Sequence, residues 1–252
     1  MIKAVLFDIG GTLHTSSNTP ERKLWFAERI IRRLSDYGID LRLSAQALAN
    51  QLDINAERYK HETERSLEEL PTAVIWNDYF LAEQNIGRER LAPISEELSF
   101  LYDYERVCNV RRPGLMECMQ QLKGMGLGVG VISNIISLSI VPHFLMEYGL
   151  FQLMDCVVTS SATGVRKPSA DIFRVAEEEL GLAPNELAYV GDTLSRDVMG
   201  VRNAQWHTMI QIDNPASRHR DKGLEGTDLK PDYFIHGLLE IPDIIARINE
   251  GA

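Results

Sequence analysis

A short apolar run, Ile2 to Phe7, stops abruptly at Asp8 and is followed by Ile9-Gly10-Gly11-Thr12-Leu13. Its length and bounds are those of a buried strand. In an open α/β sheet, ligands bind at the carboxyl ends of the strands. Asp8 therefore stands where chemistry is found, and the glycines let backbone come close to a ligand. Taken alone, the stretch reads equally well as an aspartate in a strand-ending turn.

The rest of the chain divides into two patterns. His14 to Asn18 is polar and short and reads as a linker. Thr19-Pro20 then has the form of a helix start, with Thr as cap and Pro at the first helical position. Apolar residues fall at helical spacing from Glu21 to about Tyr37, and Gly38 ends the run. Ser44 to Leu70 reads as helical, with Asp53 a candidate break and Pro71 the end; Thr72 to Gln84 and Ser95 to Val107 are further helices. No convincing strand occurs between Thr19 and Val107. This is an all-helical block inserted after the first strand.

From Arg112-Pro113-Gly114 onward, strands alternate with helices. Strands are expected at Gly126–Ile132, Cys156–Thr159, Leu187–Val190, His207–Ile212 and Tyr233–Ile235. Helices are expected at Leu115–Lys123, Ser139–Tyr148, Ser169–Leu180, Asp197–Asn203 and Pro242–Asn249, with a long polar loop over Asp213–Asp232. Such alternation implies a parallel sheet with right-handed crossovers. Gly124, Gly126, Gly128 and Gly130 do not form a dinucleotide fingerprint, which must follow a strand and open a helix. Here they follow a helix and enter a strand, which suits helix termination and close packing.

Composition narrows the function classes. The 252 residues are 44% hydrophobic, enough for a large core with a smaller second domain. A net charge of -10 opposes a nucleic-acid partner. No apolar run is long enough to span a membrane. The first strand starts at the head of the sequence, so no signal sequence is expected. Three cysteines, Cys108, Cys118 and Cys156, form no disulfide framework or metal spacing, so a cytoplasmic location is expected.

Three more strand ends join Asp8 on one sheet edge: Ser133-Asn134, Gly191-Asp192 and, after a loop, Lys167-Pro168. Phosphoryl transfer through an aspartyl-phosphate wants this set. A carboxylate attacks phosphorus, a divalent cation neutralises the approach of two anions, and a hydroxyl and an ammonium hold the transferred oxygens. Hard oxygen ligands such as Asp8 and Asp192 suit Mg2+.

With these residues in place, the chain resembles the haloacid dehalogenase superfamily, a group dominated by aspartate-nucleophile phosphatases. Phe7-Asp8-Ile9-Gly10-Gly11-Thr12-Leu13 resembles the first motif, Val131-Ile132-Ser133-Asn134 the second, Arg166-Lys167-Pro168 with Ile172-Phe173 the third, and Gly191-Asp192 through Asp197 and Gly200 the fourth. The motifs fall in order and cover Met1–Leu13 and about Pro113–Ile212. The resemblance implies an α/β fold: a Rossmann-like parallel-sheet core domain, residues 1–15 and 111–252, with an inserted all-helical cap domain, residues 16–110. It implies Asp8 as nucleophile and metal ligand, the Gly10 carbonyl and Asp192 as further ligands, and Asp197 as support to the metal. Ser133 and Asn134 would bind substrate, Lys167 would neutralise charge between nucleophile and phosphate, and Thr12 would order the loop after Asp8.

One position departs from the pattern. Two residues after the nucleophile, the family's phosphatases usually carry an aspartate that protonates the leaving alcohol and then activates water; this chain has Gly10. His14 is a neighbouring titratable group that is a candidate replacement, or else simply a linker residue. Trp25, Trp76 and Tyr79 are expected in the cap core or on its substrate side, and Arg218-His219-Arg220 in a solvated loop or at a ligand. The leading expectation is a Mg2+-dependent phosphatase of small phosphorylated metabolites. A phosphate-binding protein without turnover is the alternative, and a 2-haloacid dehalogenase, which needs no metal, ranks third.

Overall fold

The computed structural model describes residues 1–224 and 226–251. Six strands form one parallel sheet: β1 (Ala4–Phe7), β4 (Gly128–Ser133), β5 (Cys156–Thr159), β6 (Leu187–Gly191), β7 (Thr208–Ile212) and β8 (Tyr233–Ile235), in the order β5-β4-β1-β6-β7-β8. The remaining two, β2 (His14–Ser17) and β3 (Cys108–Arg111), form an antiparallel ribbon, with His14 opposite Arg111 and Ser17 opposite Cys108. β1 is central, with Phe7 opposite Val131 on one side and Val190 on the other.

Alternation along β1 divides its side chains between two faces. Val5 and Phe7 enter an apolar cluster with Leu115, Met119, Phe144 and Ile245. Ala4 and Leu6 enter the opposite one, with Ile172, Phe173, Tyr189 and Trp206. Gly130 lets β4 close on β5, since a Cβ there would lie 2.7 Å from the Cys156 carbonyl oxygen. This is the packing role expected for the glycine-rich strand.

Between β2 and β3 lie α1 (Pro20–Asp36), α2 (Ala45–Ser66), α3 (Thr72–Val74) and α4 (Arg88–Tyr104). Thr19 caps α1 by accepting the Arg22 N–H at 3.2 Å, and Pro20 takes its first position. These helices share their own apolar cluster, built on Phe26, Ile30, Leu48, Trp76, Phe80 and Leu98. In the core follow α5 (Leu115–Gly124), α6 (Ile140–Glu147), α7 (Ser160–Thr163), α8 (Ala170–Leu180), α9 (Met199–Ala204) and α10 (Ile241–Glu250).

Several local expectations need correction. His14–Ser17 is not a linker but a strand, recruited by pairing with a segment almost a hundred residues away. α2 runs unbroken through Asp53, whose side chain is held by Lys23 at 2.5 Å. α4 begins at Arg88 and contains Pro93, so the proline sits inside the helix instead of preceding it. Thr72–Gln84 is one α turn followed by a π-helical turn over Ile75–Phe80 and a 3₁₀ turn. The helix expected from Asp197 starts three residues earlier as a π-helical turn, Leu194–Val198. The polar loop over 213–232 contains a 3₁₀ helix, Pro215–Asp221. Glu225 within that loop, and Ala252 at the end of the expected core domain, lie outside the described residues. No helix of the described chain is long and apolar enough to cross a membrane.

Candidate active site

The adjacent strands β4, β1 and β6 end at Ser133, just before Asp8 and just before Asp192, so these three side chains meet at one sheet edge. Lys167 arrives from the connection after β5. Its ammonium donates to Asp8 Oδ1 at 2.8 Å, Asp197 Oδ1 at 2.7 Å and the Tyr189 hydroxyl at 2.7 Å. Ser133 Oγ donates to Asp8 Oδ1 at 3.5 Å. All five polar groups, Asp8, Ser133, Lys167, Asp192 and Asp197, are buried.

Electrostatics at so buried a centre are a balance. Burial raises the Asp8 carboxyl above the ordinary carboxylate range, with Lys167 pulling the other way. Burial would also depress the Lys167 ammonium, but Asp197 and Asp8 outweigh it and hold the amine charged. Asp197 is held below the usual range: burial opposes its charge, yet Lys167 and the Thr193 donors prevail. Its Oδ2 accepts from the Asp192 N–H, the Thr193 N–H and the Thr193 hydroxyl, at 3.1, 3.0 and 2.7 Å. Asp192 has no cation bonded to it: burial and the nearby Asp197 and Asp8 charges push its carboxyl up to about 7, against the weaker pull of the Asn214 hydrogen bond and the Arg220 charge.

These features test whether the residues fit a cation. One carboxylate oxygen from each of Asp8, Asp192 and Asp197 lies within 4.8 Å of the others. Asp192 Oδ2 accepts from Asn214 Nδ2 at 2.7 Å, while Oδ1 is buried without a hydrogen-bond partner. A buried, unpartnered carboxylate oxygen facing two more carboxylates is what a hard divalent ion would relieve. The donor set fits such an ion.

The loop after Asp8 is shaped by backbone. Gly11 has φ +91°, and a Cβ there would lie 2.0 Å from Asp192 Oδ2. Arg112 grips the Gly11 carbonyl from Nη2 at 2.7 Å and the Asp213 carbonyl at 2.8 Å. Thr12 does not play its expected part through its hydroxyl, which is buried and has no partner; the loop is ordered by backbone bonds such as Leu13 N–H to the Ile9 carbonyl at 2.9 Å. Gly10 lines the cleft, with open space where a Cβ would stand. His14 also lines it, but its Nδ1 lies 2.9 Å from the Tyr148 hydroxyl, its ring packs edge-on to Phe144, and burial drives its pKa down to about 4.

Asn134 is at the cleft, with both ends of its amide engaged by the Lys167 backbone. Trp76 is in the helical core, with Nε1 donating to Ser99 at 2.9 Å; Trp25 is exposed beneath Arg22, and Tyr79 bonds Glu62 at 2.7 Å. None of these three lines the Asp8 cleft. Of the basic cluster, only Arg220 reaches that cleft, while Arg218 pairs with Asp213 at 2.9 Å. Sequence reasoning missed Tyr189, Asn214 and Arg112. Tyr189 reads as an apolar strand residue, and Arg112 stood out only as the point where the pattern changes. Asn214 lay in a polar loop with no period to mark it.

Across the top of the cleft, the helical block is fastened to the core. Glu69 pairs with Arg166, accepts from the Ser160 hydroxyl at 2.6 Å and bonds the Tyr59 hydroxyl, all buried or nearly so. Arg196 bonds Glu64 at 2.6 Å. On the far side, Glu96 accepts from the hydroxyls of Ser137 and Ser139 at 2.7 and 2.9 Å.

Comparison with known proteins agrees with this architecture. The profile of the haloacid dehalogenase-like hydrolases matches residues 2–205. A glyceraldehyde 3-phosphate phosphatase of Methanopyrus kandleri is 26% identical over 98% of this chain and 99% of its own length. Another protein of that name, from Methanocaldococcus jannaschii, is 26% identical over 99% of this chain and 100% of its own. Among solved structures, a HAD phosphatase from Thermococcus onnurineus is 26% identical with a TM-score of 0.58, covering 97% of this chain and 98% of that one. A 2-haloacid dehalogenase from Pseudomonas syringae pv. Tomato DC3000, at 19% identity and a TM-score of 0.67, shares the fold over 98% of this chain and 99% of its own. On its profile match, its sheet order and its four ordered strand-end motifs, the chain belongs to the haloacid dehalogenase-like hydrolases.

Proposed function

We propose that this protein is a Mg2+-dependent phosphatase of small phosphorylated metabolites that works through an aspartyl-phosphate at Asp8. The observation that carries the reading is the buried group in which Lys167 bridges Asp8 and Asp197 while Asp192 keeps an unpartnered oxygen beside them. Full-length relatives named glyceraldehyde 3-phosphate phosphatases support the substrate class. The helical block acts as the cap, residues 16–110, hinged at the β2–β3 ribbon on a core of residues 1–15 and 111–252.

A divalent cation held by Asp8, Asp192 and the Gly10 carbonyl, with Asp197 in support, would neutralise charge as the phosphate dianion meets the carboxylate. An Asp8 oxygen attacks phosphorus, and the bond from phosphorus to the leaving oxygen breaks. Ser133 donates to a phosphoryl oxygen. Lys167 offsets the charge of nucleophile and phosphoryl group, and Tyr189 fixes that ammonium by accepting from it while donating to the Ile132 carbonyl at 2.7 Å. Asn134 holds the Lys167 backbone in register instead of touching substrate. Water then cleaves the aspartyl-phosphate, releasing phosphate and restoring Asp8.

Gly10 carries no proton donor for the leaving group. His14 is a poor substitute, because its depressed pKa leaves it unprotonated near neutrality. Alkyl phosphates, whose leaving alkoxide needs a proton, are therefore turned over slowly, and acyl or aryl phosphates relatively faster. The same feature supports the second reading, a phosphate-binding protein with little turnover; the retained Asp8, Lys167, Asp192 and Asp197 weigh against it. The unpartnered Asp192 oxygen weighs against metal-free dehalogenation. The test is a Mg2+-dependent phosphate-release screen over phosphorylated metabolites, glyceraldehyde 3-phosphate included, with Asp8→Asn as control. No release from any member by folded protein would sink the reading.

A further inference from the structure

Behind the cleft at Asp8, of about 300 Å³, lies a second cavity of about 600 Å³ between the helical block and the core. Six residues line both and form the passage between them: Asp103, Arg106, Asn134, Ile135, Arg196 and Arg220. A molecule with its phosphate beside Asp8 extends through this passage, and the passage is lined by three arginines against one carboxyl group.

Most cations around the second cavity are already matched. Lys23 pairs with Asp53 at 2.5 Å, Lys60 with Glu57 at 3.3 Å, Arg196 with Glu64 at 2.6 Å, and Arg166 with Glu69. Arg106 and Arg220 are not: among the described residues neither makes a hydrogen bond or a salt bridge. Arg106 lies over the Tyr102 ring at 4.2 Å, which orients its guanidinium, and its Nε is buried and unpartnered. The Nε atoms of Arg166 and Arg196 are likewise buried and unpartnered. Asp103, the one carboxyl in the passage, accepts the Ser137 N–H at 3.1 Å and forms a salt bridge with neither arginine. Buried donors left without acceptors are destabilising, and a guanidinium fork matches the oxygens of carboxylate or phosphate.

We infer that this passage is a second anion site, so that the substrate carries, beyond the phosphate that is cleaved, a carboxylate or second phosphate held by Arg106 and Arg220. Arg106 comes from the end of the helical block and Arg220 from the core loop after β7, so the second anion is gripped from both sides of the cleft. Its charge selects substrates and spans the two bodies as it binds. The inference rests on the phosphatase reading and narrows its substrate class.

The test uses the full chain with Mg2+ and p-nitrophenyl phosphate as reporter substrate. Three compounds of equal carbon length compete with it: glycerol 3-phosphate, with a neutral tail; 3-phosphoglycerate, with a carboxylate; and propane-1,3-diol bisphosphate, with a second phosphate. At least one anionic-tailed compound is expected to inhibit more tightly than glycerol 3-phosphate, on the order of tenfold, as one charge-assisted hydrogen bond supplies. Which one does so identifies the anion. In Arg220→Gln, and separately in Arg106→Gln, that ratio should fall toward one. Arg220 is exposed and unpaired, so its variant folds even where Arg106→Gln does not. Equal inhibition by all three compounds, or a preference that survives both substitutions, overturns the inference while leaving the phosphatase reading standing. If the reporter is not hydrolysed at all, the phosphatase reading falls and this inference falls with it.

Discussion

Asn134 and Lys167 hold each other by two hydrogen bonds: Asn134 Nδ2 donates to the Lys167 carbonyl at 2.9 Å, and the Lys167 N–H donates to Asn134 Oδ1 at 2.8 Å. The pair stitches the loop that carries the site's ammonium to the end of β4. The ring uses one N–H and one oxygen lone pair of the amide, and through it Asn134 is expected to act on chemistry by holding Lys167 in place.

Asn134→Ala is accordingly expected to lower kcat more than it raises KM. Misplacing a reacting group by about 1 Å costs up to about 10²-fold, which bounds the loss. Steady-state kinetics on an aryl phosphate check it. A variant with kcat intact and KM sharply raised would make Asn134 a substrate-binding residue after all.

Gly10→Asp tests the missing acid. The space beside Gly10 is open and its φ is an ordinary one, so the new side chain enters without strain. Turnover of alkyl phosphates should rise by up to roughly 10²–10⁴-fold, the range of general acid–base catalysis, and that of aryl phosphates by less. A rise of the same size for both leaving groups would show that the first step is not what Gly10 slows.

For the metal, Asp192→Asn separates binding from folding. Removing a buried charge from beside Asp8 and Asp197 should leave the metal-free protein as stable or slightly more so, because like charges no longer face one another. The gain in Tm on adding Mg2+ should disappear. Thermal unfolding with and without the ion decides the matter, and a Mg2+ shift in the variant equal to that of wild type would remove Asp192 from the ligand set.

His14 makes stability depend on pH. Its folded pKa, about 4, is below the ordinary 6.5 because burial excludes the charged ring. The unfolded chain binds the proton that the folded chain refuses. The contribution is therefore complete above about pH 6.5 and is lost as pH falls toward 4, amounting to roughly 3 kcal/mol across the window. His14→Phe should lose less stability between pH 7 and pH 4.5, measured by denaturant unfolding at each pH. Parallel pH profiles for the two proteins would contradict this.

The pair Arg166 and Glu69, both buried, joins the helical block to the core. Arg166→Met leaves the Glu69 carboxylate buried without its cation and is expected to destabilise by about 3–5 kcal/mol. The double variant Arg166→Met with Glu69→Gln should recover part of that loss. Denaturant melts of wild type, the two single variants and the double variant form the comparison, and an additive double variant would show that the two residues act independently.

Much of this was legible in the sequence, for a physical reason that differs between parts. The sheet strands announce themselves because burial on both faces demands continuous apolar runs such as Ala4–Phe7 and Leu187–Gly191. The carboxylates at their ends stand out because an unpaired charge at the edge of such a run is expensive without a use. The ribbon was illegible: His14–Ser17 is polar throughout and half exposed, and only its distant partner makes it a strand. The helix expected from Ser95 falls short of α4, whose first turns carry Pro93 while Leu91, Ile94 and Leu98 bury one face through it. Tyr189 and Asn214 earned no notice because their roles depend on which atoms surround them, not on spacing along the chain.

The paired ribbon also restricts how the helical block can travel. Two independent linkers would let it translate, tumble and slide over the core. His14–Ser17 and Cys108–Arg111 are instead zipped together, and the Arg112 N–H bonds the Leu13 carbonyl at 3.0 Å where the strands enter the core. Any displacement of the block against the core would therefore have to turn about that ribbon, as a door turns on its post, which would confine the search for a closed arrangement to few angles.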